Sequence, residues 1–215
     1  MNKNEKFVIT INREMGSGGR SIGRALAEKL KVPFYDKAII NTMQEKYQIS
    51  VDEIEAIKGR KHDWWSDLKR SFALGQQMMQ SQYRQVKPGE GPDALTTDKM
   101  FAEEQETLLR IASSGSCVIA GRTAFHIFRN HPNHLSILIT APMEQRVIRI
   151  MKKQGVSQDQ ALKTINEVDQ MRENYVQKYT GTTRYDARLY DLVISMKEHS
   201  EAEVVDLILS YCKAK

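Results

Sequence analysis

A short apolar strand that runs directly into a glycine-rich turn, and from there into a helix, most limits what this chain can fold into. Phe7-Val8-Ile9-Thr10-Ile11 is a β-rich run, and Asn12-Arg13-Glu14-Met15-Gly16-Ser17-Gly18-Gly19-Arg20-Ser21 follows it. From Ser21 to Lys31 the residues Ile22, Ala25, Leu26 and Leu30 share one helical face. Gly16, Gly18 and Gly19 let several backbone N–H groups turn into one concavity, and the new helix adds the positive end of its dipole. Such a nest suits a triphosphate. Ser21 is then placed to offer its hydroxyl to Mg²⁺, and Arg20 to neutralise phosphate oxygens. A second explanation stays open at this point: a glycine-rich turn that only lets the helix pack close to the strand.

The loop departs from the common GxxxxGK[ST] pattern, because no lysine occurs between Phe7 and Lys29. In one register Gly19-Arg20-Ser21 stands for Gly-Lys-Ser and Glu14 for the first glycine. In another, Arg13 takes the first glycine's place and Gly19 the lysine's.

The rest of the chain alternates strands with helices. Val32–Tyr35, ending at Asp36, Cys117–Ala120, Leu135–Ile139 and Leu192–Ile194 read as strands. Phe101–Ala112 and Met143–Lys153 read as helices, and Ser157 with Gln160 and Ser200 with Glu203 form capping boxes that open two more. Alternation of this kind predicts a mainly parallel sheet covered on both faces, with ligands gathering at the C-terminal strand ends. The segment at about 59–98 breaks the pattern. It is polar, rich in Gln and Met, carries Trp64-Trp65, and is expected to form a small helical insert in an otherwise single domain spanning residues 1–215.

Composition excludes rather than selects. No apolar stretch approaches the ~20 residues that cross a bilayer. The first residues run from a polar lead into a strand without the apolar core of a secretion signal, so a cytoplasmic protein is expected. Cys117 and Cys212 are far apart; Cys117 sits in an apolar run, which predicts a buried free thiol. None of the five histidines falls into a metal-spaced set. A net charge of +5 suits polyanions, but without a dense basic block or an aromatic RNA-reading motif it ranks nucleic acid last among partners. The sequence carries no signal for an oligomeric state.

The run VITINREMGSGGRSIGRALAEKLKVPFYDKAII resembles the opening of the cytidylate kinase-like family of P-loop nucleotide kinases. The resemblance resumes at CVIAGRTAFHIFRNHPN, at ILITAPMEQRVIRIMKKQGVSQDQA and at VDQMRENYVQKYTGTTRYDARLYDLVI, so it spans the chain outside the insert. It implies a three-layer α/β P-loop kinase fold and phosphoryl transfer from ATP–Mg²⁺ to a nucleoside monophosphate, CMP or dCMP first. Gly16, Ser17, Gly18, Gly19, Arg20 and Ser21 would hold the donor, with Ser21 on the metal. The insert would form the acceptor flap, and a segment at about 166–188 the lid.

Arg122, directly after the Cys117 strand, matches an arginine that holds the acceptor phosphate, although a surface helix cap would also explain it. Asp36 matches an acidic position near the acceptor, or is a helix N-cap. Lys37 would touch phosphate, or is simply solvated. Arg172 and Asp169 match an Asp-x-x-Arg lid element in which Arg172 stabilises transferring charge and Asp169 orients it; the alternative is an ordinary i,i+3 surface pair.

This chain also departs from the family's pattern. Asn166-Glu167-Val168 stands where lid arginines are expected, and Thr42 where an acceptor-side arginine is. Two other readings therefore stay open: a P-loop kinase for another small acceptor, and a non-catalytic nucleotide-binding module.

Overall fold

The computed structural model describes residues 1–2, 4–36, 93–121 and 123–214. Two compact units are present, one formed by Met1–Asp36 with Ile111–Lys215 and the other by Lys37–Arg110. Of the second unit, only the helical residues 93–110 are described.

The described strands are β1 (Val8–Arg13), β2 (Phe34–Asp36), β3 (Cys117–Ala120), β4 (His134–Thr140) and β5 (Leu192–Ser195). The described helices are α1 (Gly19–Leu30), α2 (Asp93–Ser114), α3 (Ala124–Ile127), α4 (Met143–Gln154), α5 (Gln158–Thr180) and α6 (Glu201–Ala214), with a 3₁₀ turn at Ala187–Leu189. All strands are parallel, in the order β2-β3-β1-β4-β5. The expected parallel α/β sheet is thus present. Its central strand, β1, is buried from Val8 through Asn12, as a strand covered on both faces must be. The edge strand β5 alternates instead, with Ile194 buried and Val193 exposed.

The strand order explains why a site belongs at the end of β1. The chain leaves β1 for β2 on one side and later returns past β3 to lay β4 on the other. The sheet therefore switches direction at the C-terminal edge of β1, where open α/β sheets have a crevice.

Several boundaries extend those read from sequence. Helix α1 begins at Gly19 rather than Ser21, and α2 begins at Asp93, within the segment expected to be an insert; residues 59–92 of that segment lie outside the described residues. Both capping boxes form. Ser157 Oγ accepts from Gln160 N while Gln160 Oε1 accepts from Ser157 N, and Ser200 and Glu203 make the same exchange. Cys117 and Cys212 are both buried and form no disulfide. No described helix is long and apolar enough to cross a membrane.

Helix α1 buries Ile22, Gly23, Leu26 and Ala27, and Gly23 sets how near it comes to the sheet. A Cβ at Gly23 would fall 2.7 Å from Phe34 Cε2 and 3.1 Å from Ile11 Cδ1. Two effects oppose each other in Gly23→Ala: a helix-propensity gain of about 1 kcal/mol and an overpacking cost of about 1–3 kcal/mol. Phe34 is buried at 5% exposure, so its ring has little room to yield. The substitution is expected to lower the urea midpoint, a net loss of about 1 kcal/mol. An unchanged or higher midpoint would show that α1 is free to move off the sheet.

Candidate functional site

The glycine loop turns as its composition requires. Gly16 and Gly18 sit at φ +83° and +87°, a left-handed region costly for other residues, and Gly18 is the N-cap of α1. Ser17 is buried; its Oγ donates to Glu14 O at 3.0 Å and lies 3.5 Å from Gly19 N. The first N–H groups of α1 have no intrahelical acceptor, so the loop presents donors and a positive helix end at the C-terminus of β1. Ser21, on the first turn of α1, is exposed.

These features fit a polyphosphate. For Mg²⁺ the fit is of a different kind: no group of three or more His, Cys, Asp or Glu among the described residues could hold a metal by itself. Magnesium usually keeps waters and takes its ligands from substrate phosphates, so one serine hydroxyl suits a metal that arrives with its nucleotide.

The loop's outer wall is held from α5. Asp169 is 9% exposed and stands on the same stripe as buried Ala161 and Ile165, four residues apart each time. Its Oδ1 accepts from Met15 N at 2.9 Å and from Arg172 Nη1 at 3.3 Å, and lies 3.5 Å from Arg184 Nη2. Its Oδ2 is paired with Arg146. Arg146 in turn donates from Nε to Met15 O at 2.7 Å and lies 3.3 Å from Glu14 Oε1, while Glu14 Oε2 accepts from Ala141 N at 2.9 Å. The Asp169–Arg172 pair therefore belongs to a buried network clamped on the loop backbone, not to the solvated face of a helix.

A second group of cations surrounds Arg13, the last residue of β1. Arg172 Nη1 and Arg184 Nη2 both donate to Arg13 O, at 3.2 and 2.7 Å. Arg184 is wholly buried. Its Nε and Nη1 have no hydrogen-bond acceptor among the described residues, and its guanidinium lies 4.9 Å from the centre of the Tyr185 ring. Tyr190 anchors this region by donating to Arg184 O and accepting from Asn12 Nδ2, both at 2.7 Å; burial pushes its hydroxyl pKa up.

Burial pushes the Arg13 guanidinium down to about 9, assisted by the charges of Arg172, Arg184 and Arg20 and opposed by Asp36. That value still lies above neutrality, so Arg13 remains a cation. Its folded pKa lies below its ordinary value, so holding the charge costs stability below about pH 9, and this cost fades as pH rises beyond that.

The residues expected from sequence are thus partly brought together. Arg20, expected at the donor phosphates, and Asp36, expected at the acceptor, pair directly: Arg20 Nε meets Asp36 Oδ2 at 2.5 Å, with Asp36 2% exposed at the end of β2. Lys37 and Arg122 lie outside the described residues, though Gly121, just before Arg122, follows β3 and lies beside the tip of Arg13. Sequence reasoning gave no role to Arg146. Its signal was positional, an arginine on the stripe of buried Val147 and Ile150 in α4.

Comparison with known proteins agrees with this fold. The sequence profile of the cytidylate kinase-like family matches residues 8–198. A cytidylate kinase of Pyrococcus horikoshii is 24% identical over 206 residues, covering 95% of this chain and 87% of that protein. An uncharacterised protein from Eubacterium ventriosum superposes with a TM-score of 0.69 at 23% identity, covering 98% of this chain and 100% of that one. A shikimate kinase from Bacteroides thetaiotaomicron shares the fold more distantly, with a TM-score of 0.51 at 14% identity and coverage of 97% and 99%.

Asp169→Asn tests the clamp. Removing one partner of a buried ion-pair network strands the others and costs about 3–5 kcal/mol. The exposed pair Lys163–Glu167, at 3.9 Å on the same helix, supplies the control: Glu167→Gln is expected to change stability by under about 1 kcal/mol. Chemical denaturation of both variants checks the contrast, and equal losses would refute the buried assignment.

Proposed function

Because this chain belongs to the cytidylate kinase-like family of P-loop kinases, we propose that it transfers the γ-phosphoryl group of ATP to a nucleoside monophosphate, with CMP or dCMP the first candidates. The observation that carries this reading is the glycine loop at the sheet's switch point with the cations of α5 and the following turn set on its rim. Gly16, Ser17, Gly18 and Gly19 supply the donor cradle. Magnesium, when bound with the nucleotide, neutralises phosphate charge, and Ser21 is its protein ligand.

In the transfer, an anionic oxygen of the acceptor phosphate attacks the γ-phosphorus. The bond to the β-bridging oxygen breaks, and ADP leaves with that electron pair. The acceptor oxygen needs no general base, so the protein contributes positioning and charge stabilisation. Arg172, at the loop's rim and held by Asp169, stabilises the transferring phosphoryl charge. Arg20, held by Asp36, stands between loop and acceptor. Arg122, Lys37 and the insert at about 59–98 are assigned to acceptor binding, and the segment at about 166–188 to the lid, on the resemblance alone. The cytidine preference rests on the family and on the name of the Pyrococcus relative.

ADP release by the purified protein with ATP and Mg²⁺, in the presence of CMP, dCMP, UMP, AMP or GMP in turn, tests the reading. Acceptor-dependent release, greatest with CMP or dCMP, is expected. Arg20→Ala and Arg172→Ala should fold and lose on the order of 100- to 1,000-fold in turnover. Silence with every acceptor despite ATP binding would overturn the nucleoside-monophosphate assignment in favour of a kinase for another small acceptor or a non-catalytic nucleotide-binding module. Wild-type rates in both variants would remove these residues from the mechanism.

A further inference from the structure

We propose that Arg13 replaces the loop's missing lysine, its guanidinium reaching from β1 across the start of α1 to the end of β3, between donor loop and acceptor side. The proposal deepens the kinase reading above and rests on it.

Two positions in contact exchange residue types relative to the common pattern. When Arg13 is aligned with the first glycine of GxxxxGK[ST], Gly19 falls on the lysine: the glycine has become the cation and the cation has become glycine. The fold brings the two positions together. A Cβ at Gly19 would fall 2.6 Å from Arg13 Cβ and 3.1 Å from its Cγ, so the stem of Arg13 fills the space where a side chain at 19 would begin. Gly19 does not have a positive φ, so backbone conformation does not require glycine there. Close approach does.

The far end of the Arg13 side chain lies against a second glycine. A Cβ at Gly121 would overlap Arg13 Nη1 and lie 3.2 Å from its Cζ. The guanidinium therefore lies on the turn that follows β3, next to the acceptor side of the crevice. Two separate glycines thus accommodate one arginine, one at its stem and one at its tip.

The charges of the described residues around Arg13 are mostly positive. The Arg13 backbone is fully engaged, N–H to Asn12 Oδ1 and carbonyl to two arginines, whereas no acceptor among the described residues takes a hydrogen bond from its guanidinium. Among the described residues, the charges that act on it are those of Arg172, Arg184 and Arg20, which are positive, and Asp36, which is negative. Asp36 is already paired with Arg20. A partly buried cation among cations is held at a cost, and a phosphate anion is the chemical group that offsets it. A purely structural arginine would instead be given a carboxylate or carbonyl partner.

Arg13→Met keeps the stem and removes the charge; Arg13→Lys keeps the charge. Arg13→Gly combined with Gly19→Lys restores the glycine and the lysine of the common pattern, with Arg20 standing where its Ser or Thr would be. Thermal unfolding with and without Mg–ATP, and ADP release with the best acceptor, are read on the full chain. Arg13→Met is expected to unfold without ligand at the wild-type temperature or above, to lose the ATP-induced rise, and to lose on the order of 100- to 1,000-fold in turnover. Arg13→Lys should retain part of both. Gly19→Lys alone should be inactive through overlap with Arg13, and the double variant should recover at least about tenfold over Arg13→Met, one decade of the loss above.

Wild-type ATP response and turnover in Arg13→Met would overturn the proposal and leave the kinase reading standing. If Arg13→Met does not fold, the double variant decides, and a folded double variant without ATP response or turnover overturns it. Wild-type protein that shows no ATP response at all would remove the kinase reading and this proposal together.

Discussion

The carboxylate of Asp169 is the point on which the site's geometry hangs. It receives the backbone N–H of Met15 inside the glycine loop and the guanidinium groups of Arg146, Arg172 and Arg184, which arrive from α4, α5 and the turn after α5. A loop whose glycines are chosen for backbone freedom has many conformations open to it in isolation. Here its first residues are fixed by bonds to Asp169, Arg146 and, through Glu14, the N–H of Ala141 after β4. Taking this many charges out of water gains little net stability compared with an apolar core of the same shape. What the network provides is placement. It ties the loop's curvature to the helix that carries Arg172, so movement of one is transmitted to the other.

The apolar packing beneath explains how α4 and α5 can serve as a frame. Val147 and Ile150 of α4 meet Ala161 and Ile165 of α5, with Met15 of the loop packed against the same cluster. Met15 thus has an apolar side chain in the core between the two helices and a backbone whose N–H and carbonyl are taken by Asp169 and Arg146. The loop is fastened by burial and by hydrogen bonding at one residue, and the glycines begin immediately after it.

Much of this was legible in the sequence, and the remainder was missing for definable reasons. The strand–loop–helix unit, the parallel sheet, both capping boxes and the buried Cys117 all follow from local pattern, because periodicity and turn chemistry are local. The Asp-x-x-Arg spacing was visible too, but spacing cannot distinguish a solvated i,i+3 pair from a buried hub. The discriminating fact was available one step further out: Asp169 continues the Ala161–Ile165 stripe, and a carboxylate on an apolar stripe must find partners. Arg146 carried the same mark beside Val147 and Ile150. The pairing of Arg20 with Asp36 carried none, since it depends on how α1 lies across β2, a matter of packing that no periodicity encodes.

The glycines of the site illustrate why residue type alone underdetermines role. Gly16 and Gly18 answer to backbone conformation, with φ near +85° at each, and also to close approach, since a Cβ would lie 2.8 Å from Arg146 O at the first and 2.8 Å from Arg149 Nη1 at the second. Gly23 answers to helix–sheet distance, and Gly19 to the stem of Arg13. Gly121 answers to both demands at once, a positive φ and the guanidinium against it. A motif match treats Gly16, Gly18 and Gly19 alike as signs of phosphate binding and passes over Gly23 and Gly121. Separated by cause, two shape the cradle, one sets the depth of α1, and two make room for a cation. A loop can thus lose the lysine of the usual pattern without losing positive charge at its rim, provided the volume is surrendered where the replacement passes. The absence of lysine between Phe7 and Lys29 is for this reason weak evidence against phosphate chemistry in this chain. The pairing of an arginine at 13 with a glycine at 19 is the stronger evidence, because neither choice is explained by the local backbone alone.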